Sequence, residues 1–183
     1  MQYFRQIAGA VDVMPLLNAV TVRADLWDAE TARTTHPGSA HSEVSDILLR
    51  FNDLSVSRDV GVVADQHESI NHPAMFQLPQ VRPVVFDLMR RVEGERLGRL
   101  IITRLRPGRI IAPHVDGGEH AAYYDRYLVT LWNQPGSVFK AGDEEVFMKA
   151  GDVWWFDNGV EHSVVNHSAD DRITLIVDIR TFR

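Results

Sequence analysis

The chain contains no cysteine. Disulfides and thiolate metal sites are therefore excluded, and any bound metal must be held by His, Asp or Glu. A long uninterrupted apolar run is also missing. The opening MQYFRQIAGAVDVMPLLNAV has no basic n-region and is broken by Asp12, so it reads as neither signal peptide nor membrane span, and a cytoplasmic location is expected. Basic residues are not in excess either: 19 Lys and Arg stand against 25 Asp and Glu, a formal net charge of −6. That balance lacks the electropositive footprint of a general nucleic-acid binder, so neither nucleic acid nor membrane is expected as a partner. No internal repeat or low-complexity segment stands out. With 183 residues and 45% apolar content, one domain spanning 1–183 with a proper core is expected.

The character of the chain changes near residue 98. Before it, the pattern predicts a short helix over Val11–Val20, a strand over Asp46–Phe51, an irregular polar stretch from Asn52 to Pro79, and a longer helix over Val81–Glu95. In that last helix Val85, Leu88, Met89 and Val92 recur at helical spacing, the signature of a helix bracing a sheet. After Gly98 come short β-type runs separated by turn residues, such as Pro107-Gly108, Pro135-Gly136, Gly142-Asp143 and Asn158-Gly159. Eight strands are predicted: Arg99–Leu105, Ile110–Asp116, Tyr127–Trp132, Ser137–Lys140, Glu145–Met148, Val153–Phe156, His162–Asn166 and Ile173–Ile179. The expected layout is a supporting region over 1–98 and a β sandwich or barrel over 99–183.

Four residues of the second half carry chemistry. His114 and Asp116 form a His-x-Asp pair, followed by His162 and, ten residues later, Arg172. Two imidazoles and one carboxylate are the ligands of the facial triad that holds non-haem Fe(II) and leaves positions open for O₂ and other ligands. On an extended segment His114 and Asp116 share a face, with Ile110 and Ala112 along the same wall. On the last strand Arg172, Thr174, Ile176 and Arg180 share one face, and Ile173, Leu175, Val177 and Ile179 the other. A buried Arg172 needs an anion, which a carboxylate co-substrate would supply by bidentate pairing. The plainer alternatives are that His162 caps a turn and that Arg172 is an exposed strand residue paired with Asp170 or Asp171.

The segment TRLRPGRIIAPHVD (Thr103–Asp116), then RYLVTL and GDEEVFMKAGDVWWFDNGVEHSVVNHSADDRITLIVDIR, resembles the aspartyl/asparaginyl β-hydroxylase family of Fe(II)/2-oxoglutarate-dependent oxygenases. The resemblance runs over roughly Thr103 to Arg180. It implies a mainly β fold with flanking helices, a double-stranded β-helix or cupin-like jelly roll. It further implies Fe(II) bound by His114, Asp116 and His162, and 2-oxoglutarate held by Arg172, assisted by Thr103, with Arg126 approaching the co-substrate. The family's histidine two positions after that second arginine is Leu128 here. Asp116 sets the chain apart from the best-known animal members, which lack the carboxylate. It also sets it apart from related halogenases, where halide takes that place. The implied reaction uses O₂, converts 2-oxoglutarate to succinate and CO₂, and hydroxylates a C–H bond of an amino acid, free or as a peptide or protein side chain. Another small metabolite or a nucleobase, or a non-catalytic cupin-like binding protein, are the alternatives.

Other residues read more plainly. Trp154 and Trp155 face opposite ways on a strand, so at least one packs in the core. His36 with His41, and His67 with His72, have a spacing that does not align on a helix, and read as loop residues rather than a second metal site. His120 reads as a solvated loop residue rather than one bordering the pocket, Arg50 and Arg180 as surface salt-bridge residues rather than anchors for a substrate carboxylate, and RRVEGER as a solvated helix face.

Overall fold

Alternating apolar residues need two buried faces, and the computed structural model, which describes residues 1–57 and 66–182, provides them as two antiparallel sheets. The elements in chain order are β1 (Phe4–Ala8), α1 (Met14–Thr21), a 3₁₀ turn (Ala24–Leu26), α2 (Ala32–Thr35), β2 (Val44–Phe51), β3 (Ile70–Asn71), α3 (Pro73–Gln77), α4 (Val81–Arg91), β4 (Gly94–Leu105), β5 (Ile110–His114), α5 (Gly118–Tyr123), β6 (Asp125–Trp132), β7 (Ser137–Ala141), β8 (Glu144–Val146), β9 (Val153–Phe156), β10 (His162–Asn166) and β11 (Arg172–Thr181). Seven strands form one sheet in the order β1-β9-β6-β11-β4-β2-β3, and four form the other in the order β5-β10-β7-β8. The double-stranded β-helix implied by the resemblance is the fold observed.

Strand parity divides the apolar residues into two cores. Leu100, Ile102, Leu175, Val177 and Ile179 point outward from the large sheet and meet Leu16, Val20, Val81, Val85 and Leu88 of α1 and α4. Ile101, Leu105, Ile176, Leu128 and Phe156 point inward and meet Ile111, Phe139 and Val164 of the small sheet. Each fully buried side chain of this size contributes about 1.5–3 kcal/mol. The predicted bracing helix thus does brace the sheet. Among the described residues no helix is long and apolar enough to cross a membrane.

Several predicted boundaries shift for local reasons. The helix expected to reach Glu95 stops at Arg91, because Glu93 takes a left-handed φ of 53° after the Val92 cap and the chain turns directly into β4. A Cβ at the next residue, Gly94, would lie 2.6 Å from Ile179 Cγ2, so the strand starts where its backbone runs close against the Ile179 side chain. RRVEGER is therefore only partly helical: Arg90 and Arg91 pair with Asp87, while Arg96 in β4 pairs with Glu68. The stretch expected to be irregular from Asn52 to Pro79 contains β3 and α3, and its residues 58–65 lie outside the described residues. The FRQIA segment, too polar to announce itself, forms edge strand β1 beside β9.

Candidate metal and carboxylate site

The two histidines meet because β5 and β10 are neighbours, with His114 opposite His162 in the register. Their next pairing is Val164 with Ile111, so β5 uses three residues where β10 uses two. This bulge contains Ala112, whose N–H leaves the ladder for Ala40 O at 3.1 Å, and Pro113, which has no N–H to give. It turns Ile111, not Ile110 or Ala112, into the wall of the site, and Ile110 is exposed. The parity expected for this wall is thereby corrected. Strand β5 also ends at His114, short of Asp116, whose N–H donates to Asn158 O at 3.0 Å across the mouth of the barrel.

The ligating atoms of His114, Asp116 and His162 all lie within 4.8 Å of one another. His114 Nε2 is 3.7 Å and His162 Nε2 4.0 Å from the Asp116 carboxylate. Each Nδ1 faces a backbone carbonyl, Ala112 O at 2.7 Å and Val160 O at 2.9 Å. A carbonyl only accepts, so both Nδ1 atoms carry a proton, and each Nε2 is the ring nitrogen turned toward Asp116. His114 Nε2 is buried and has no hydrogen-bond partner among the described residues. Burial pushes His162 down to about 4, which keeps it neutral near pH 7. Two imidazoles, one carboxylate and an orphaned ring nitrogen fit a divalent first-row metal. No other such cluster occurs among the described residues.

Asp116 is held by Arg126, whose Nη1 donates to Oδ2 at 2.5 Å, and by Asn158 at 3.3 Å. Burial alone would raise the Asp116 carboxyl, but Arg126, His162 and His114 together bring it below its ordinary value. Arg126 also donates through Nε (2.8 Å) and Nη2 (3.0 Å) to Asp178, which is 3.1 Å from His120 Nε2. Burial opposes the Arg126 charge, yet the two aspartates outweigh it and raise its pKa. His120, expected in a solvated loop, is instead buried in α5 with Nδ1 2.9 Å from Gln66 O. Neither Asp178 nor its link to the site was visible in the sequence pattern, because both partners lie more than fifty residues away.

Arg172 is buried, not paired at the surface; Arg104 is the residue that faces Asp171, at 3.9 Å. Burial alone pushes Arg172 down to about 10, and no carboxylate pairs with it among the described residues. Its guanidinium lies 5.9 Å from the Phe139 ring, and the same ring lies 6.0 Å from that of His162. One cavity thus joins the histidines to Arg172 and is lined by Thr103, Arg126, Leu128 and Thr174 as well. Thr174 Oγ1 is buried without a partner among the described residues. The Thr103 hydroxyl donates to Asp46 at 2.9 Å, and Asp46 also takes Arg33 at 2.5 Å.

The remaining candidates scatter. His41 stands edge-on to His114 with centroids 4.8 Å apart, and burial, with Arg33 and other nearby cations, pushes its pKa far below the ordinary value. His36 lines a neighbouring cavity, His67 stacks on Tyr123, and His72 bonds Asn52 O. Arg50 serves Gly98 O, Asn71 and Ser69 O rather than a salt bridge, and Arg180 serves Tyr123 O. Trp154 joins the inner core and Trp155 the outer one.

A cupin-like double-stranded β-helix with a His-x-Asp…His cluster between its sheets is the class that fold and site define. The sequence profile described as Aspartyl/Asparaginyl beta-hydroxylase matches residues 61–181, and the chain belongs to that family. L-proline cis-3-hydroxylase 1 from Streptomyces sp is 29% identical over 106 residues, covering 56% of this chain and 35% of that protein. The chain therefore spans about a third of the curated relative it matches. In fold it is similar to a crystal structure described as an oxidoreductase of the 2OG-Fe(II) oxygenase family from Burkholderia pseudomallei. The TM-score is 0.62 at 14% identity, over 98% of this chain and 84% of the other.

Proposed function

We propose that this chain is an Fe(II)/2-oxoglutarate-dependent dioxygenase that hydroxylates a C–H bond of an amino acid in the cytoplasm. The observation that carries the reading is the shared cavity, with a His114–Asp116–His162 cluster at one part and, at another, the buried Arg172, which pairs with no carboxylate among the described residues. Family membership and the similarity to a proline hydroxylase support the same reading. Bound there, Fe(II) and 2-oxoglutarate would supply the oxidising chemistry that inserts an oxygen atom from O₂ and leaves succinate and CO₂.

The chain's own contribution is binding, orientation and exclusion of water. His114 and His162 present fixed Nε2 lone pairs, and Asp116 the negative charge, to the metal. Arg172, with the Thr174 hydroxyl that has no partner among the described residues, receives the distal carboxylate of the co-substrate, and Thr103 on the same wall assists indirectly through its bond to Asp46. Arg126 orients Asp116 and presents its charge to the co-substrate from the wall both share. Ile111, Leu128, Phe139, Phe156, Val164 and Ile176 line the remainder and keep bulk water from the reacting centre.

Incubation with Fe(II), ascorbate, labelled 2-oxoglutarate and a panel of amino acids and peptides tests the proposal. Succinate release, lost in His162→Ala and Asp116→Ala, is the expected result. Release that survives either replacement would overturn the site. No release with any substrate, despite measurable metal binding, would leave a cupin-like binding protein instead.

A further inference from the structure

A second cavity, of about 200 Å³, also reaches Asp116. Arg33, His41 and Arg126 line both this space and the cavity that joins the histidines to Arg172, so these three side chains divide the two. Its size is below the roughly 300–1,000 Å³ of pockets for drug-sized ligands. It suits one small molecule beside the metal cluster.

The polar side chains around it are already bound, with one exception among the described residues. Arg33 pairs with Asp46 at 2.5 Å, and Arg126 with Asp116 and Asp178. Arg99 donates to Asn52 Oδ1 at 3.1 and 2.6 Å, and the two ring nitrogens of His120 face Gln66 O and Asp178. His36, with Nδ1 3.0 Å from Pro37 O, lines the second cavity but not the first. The His41 ring meets no hydrogen-bond partner among the described residues, and stands edge-on to His114 with centroids 4.8 Å apart. Its backbone is nevertheless fixed. The His41 N–H donates to Ser39 Oγ at 3.1 Å, its carbonyl accepts from Val44 at 3.2 Å, and Ala40 O takes the Ala112 N–H at 3.1 Å. A held segment thus presents an uncommitted imidazole at the wall between the cavities, as a ligand-positioning side chain requires. A polar ring facing a small cavity is satisfied there only by water or a ligand. Guanidinium groups only donate, whereas an imidazole nitrogen can accept, so a ligand N–H at this junction finds its acceptor in His41.

We infer that His41 is a specificity-determining residue of the substrate chamber, whose ring accepts a hydrogen bond from the amino group of an amino acid and so sets which of its C–H bonds faces the metal cluster. The inference rests on the dioxygenase reading above. It gives the second cavity to the substrate and the first to the co-substrate, with His41 touching both spaces. A ring that merely packed on His114 would need no polar atom, and phenylalanine would serve as well.

The test uses the full chain loaded with Mn(II) and 2-oxoglutarate without O₂, and titrates the proteinogenic L-amino acids and their des-amino analogues by calorimetry. At least one amino acid should bind, and its des-amino analogue should bind roughly 10- to 100-fold more weakly, the range for one hydrogen bond to a charged group. In His41→Phe that discrimination should vanish, because the amino acid loses the same factor while the analogue is unchanged, the signature of a direct pair in a double-mutant cycle. Mn(II) affinity should stay intact, which reports a folded cluster. His41→Gln, which keeps an acceptor, should recover part of the loss. Equal binding of amino acid and analogue by the wild-type chain, discrimination that persists in His41→Phe, loss of Mn(II) affinity in both variants, or binding of no amino acid would each overturn the inference. A wild-type chain that binds no 2-oxoglutarate would overturn the dioxygenase reading itself.

Discussion

Replacing Asp178 by Asn keeps the shape of the side chain and removes its charge from the centre of the inner network. The carboxylate is 2% exposed and takes Nε and Nη2 of Arg126 at 2.8 and 3.0 Å, with His120 at 3.1 Å. Removing one partner of a buried ion pair costs about 3–5 kcal/mol. Against a total of about 5–15 kcal/mol this is a large share, and for a chain of this length it lowers Tm by roughly 6–20 °C. Urea denaturation followed by circular dichroism at pH 7 measures it. Asp87→Asn is the internal control, since its pairs with Arg90 and Arg91 lie at the surface and contribute at most about 1 kcal/mol. The pH dependence is the second arm. Burial would raise the Asp178 carboxyl, but Arg126 and His120 outweigh it and hold its pKa below the ordinary value. The folded state therefore binds this proton more weakly than the unfolded chain. The contribution is complete above about pH 4, the unfolded pKa, and is lost as pH falls toward the native one. An Asp178→Asn loss no greater than that of Asp87→Asn at pH 7, or a gap that widens on acidification, would refute the reasoning.

Arg172 gives the opposite sign. Burial depresses its pKa to about 10, so its charge is a cost in the ligand-free protein that fades as pH rises through that value. Arg172→Met should raise the ligand-free unfolding free energy by about 1–3 kcal/mol at pH 7 and abolish the thermal stabilisation given by 2-oxoglutarate; a destabilised ligand-free variant would contradict this. Gly94→Ala forces a Cβ to within 2.6 Å of Ile179 Cγ2 and should cost about 1–3 kcal/mol, read from the urea midpoint.

How much was legible in the sequence depended on whether a residue's role follows from its own strand. Arg172, Thr174 and Ile176 face inward and Ile173, Leu175, Val177 and Ile179 outward as period-two alternation requires, because β11 runs through the middle of the large sheet. His114, Asp116 and His162, singled out by spacing, do come together, yet the parity of their wall was not legible, since the bulge at Ala112 and Pro113 breaks the alternation between Ile111 and His114. Asp178, His120 and His41 were not legible in this way. Their roles are set by contacts between elements distant in sequence, and beside His41, which packs on His114, Ala40 accepts the hydrogen bond that the bulge frees.

The same strand that anchors the fold therefore also carries the site, and parity keeps the two tasks apart. Along β11 the outward row is purely aliphatic and packs on α1 and α4. The inward row, Arg172, Thr174, Ile176 and Asp178, holds two opposite charges at its ends and faces the cavities or the arginine beside them. Buried charge is affordable at Asp178 because its partners are built into the chain. At Arg172 no described residue plays that part, which is why the proposed function assigns it the carboxylate of the co-substrate. On the proposed reading the buried cation costs stability until the co-substrate binds, and its position, one aromatic ring from His162, sets where that carboxylate would lie.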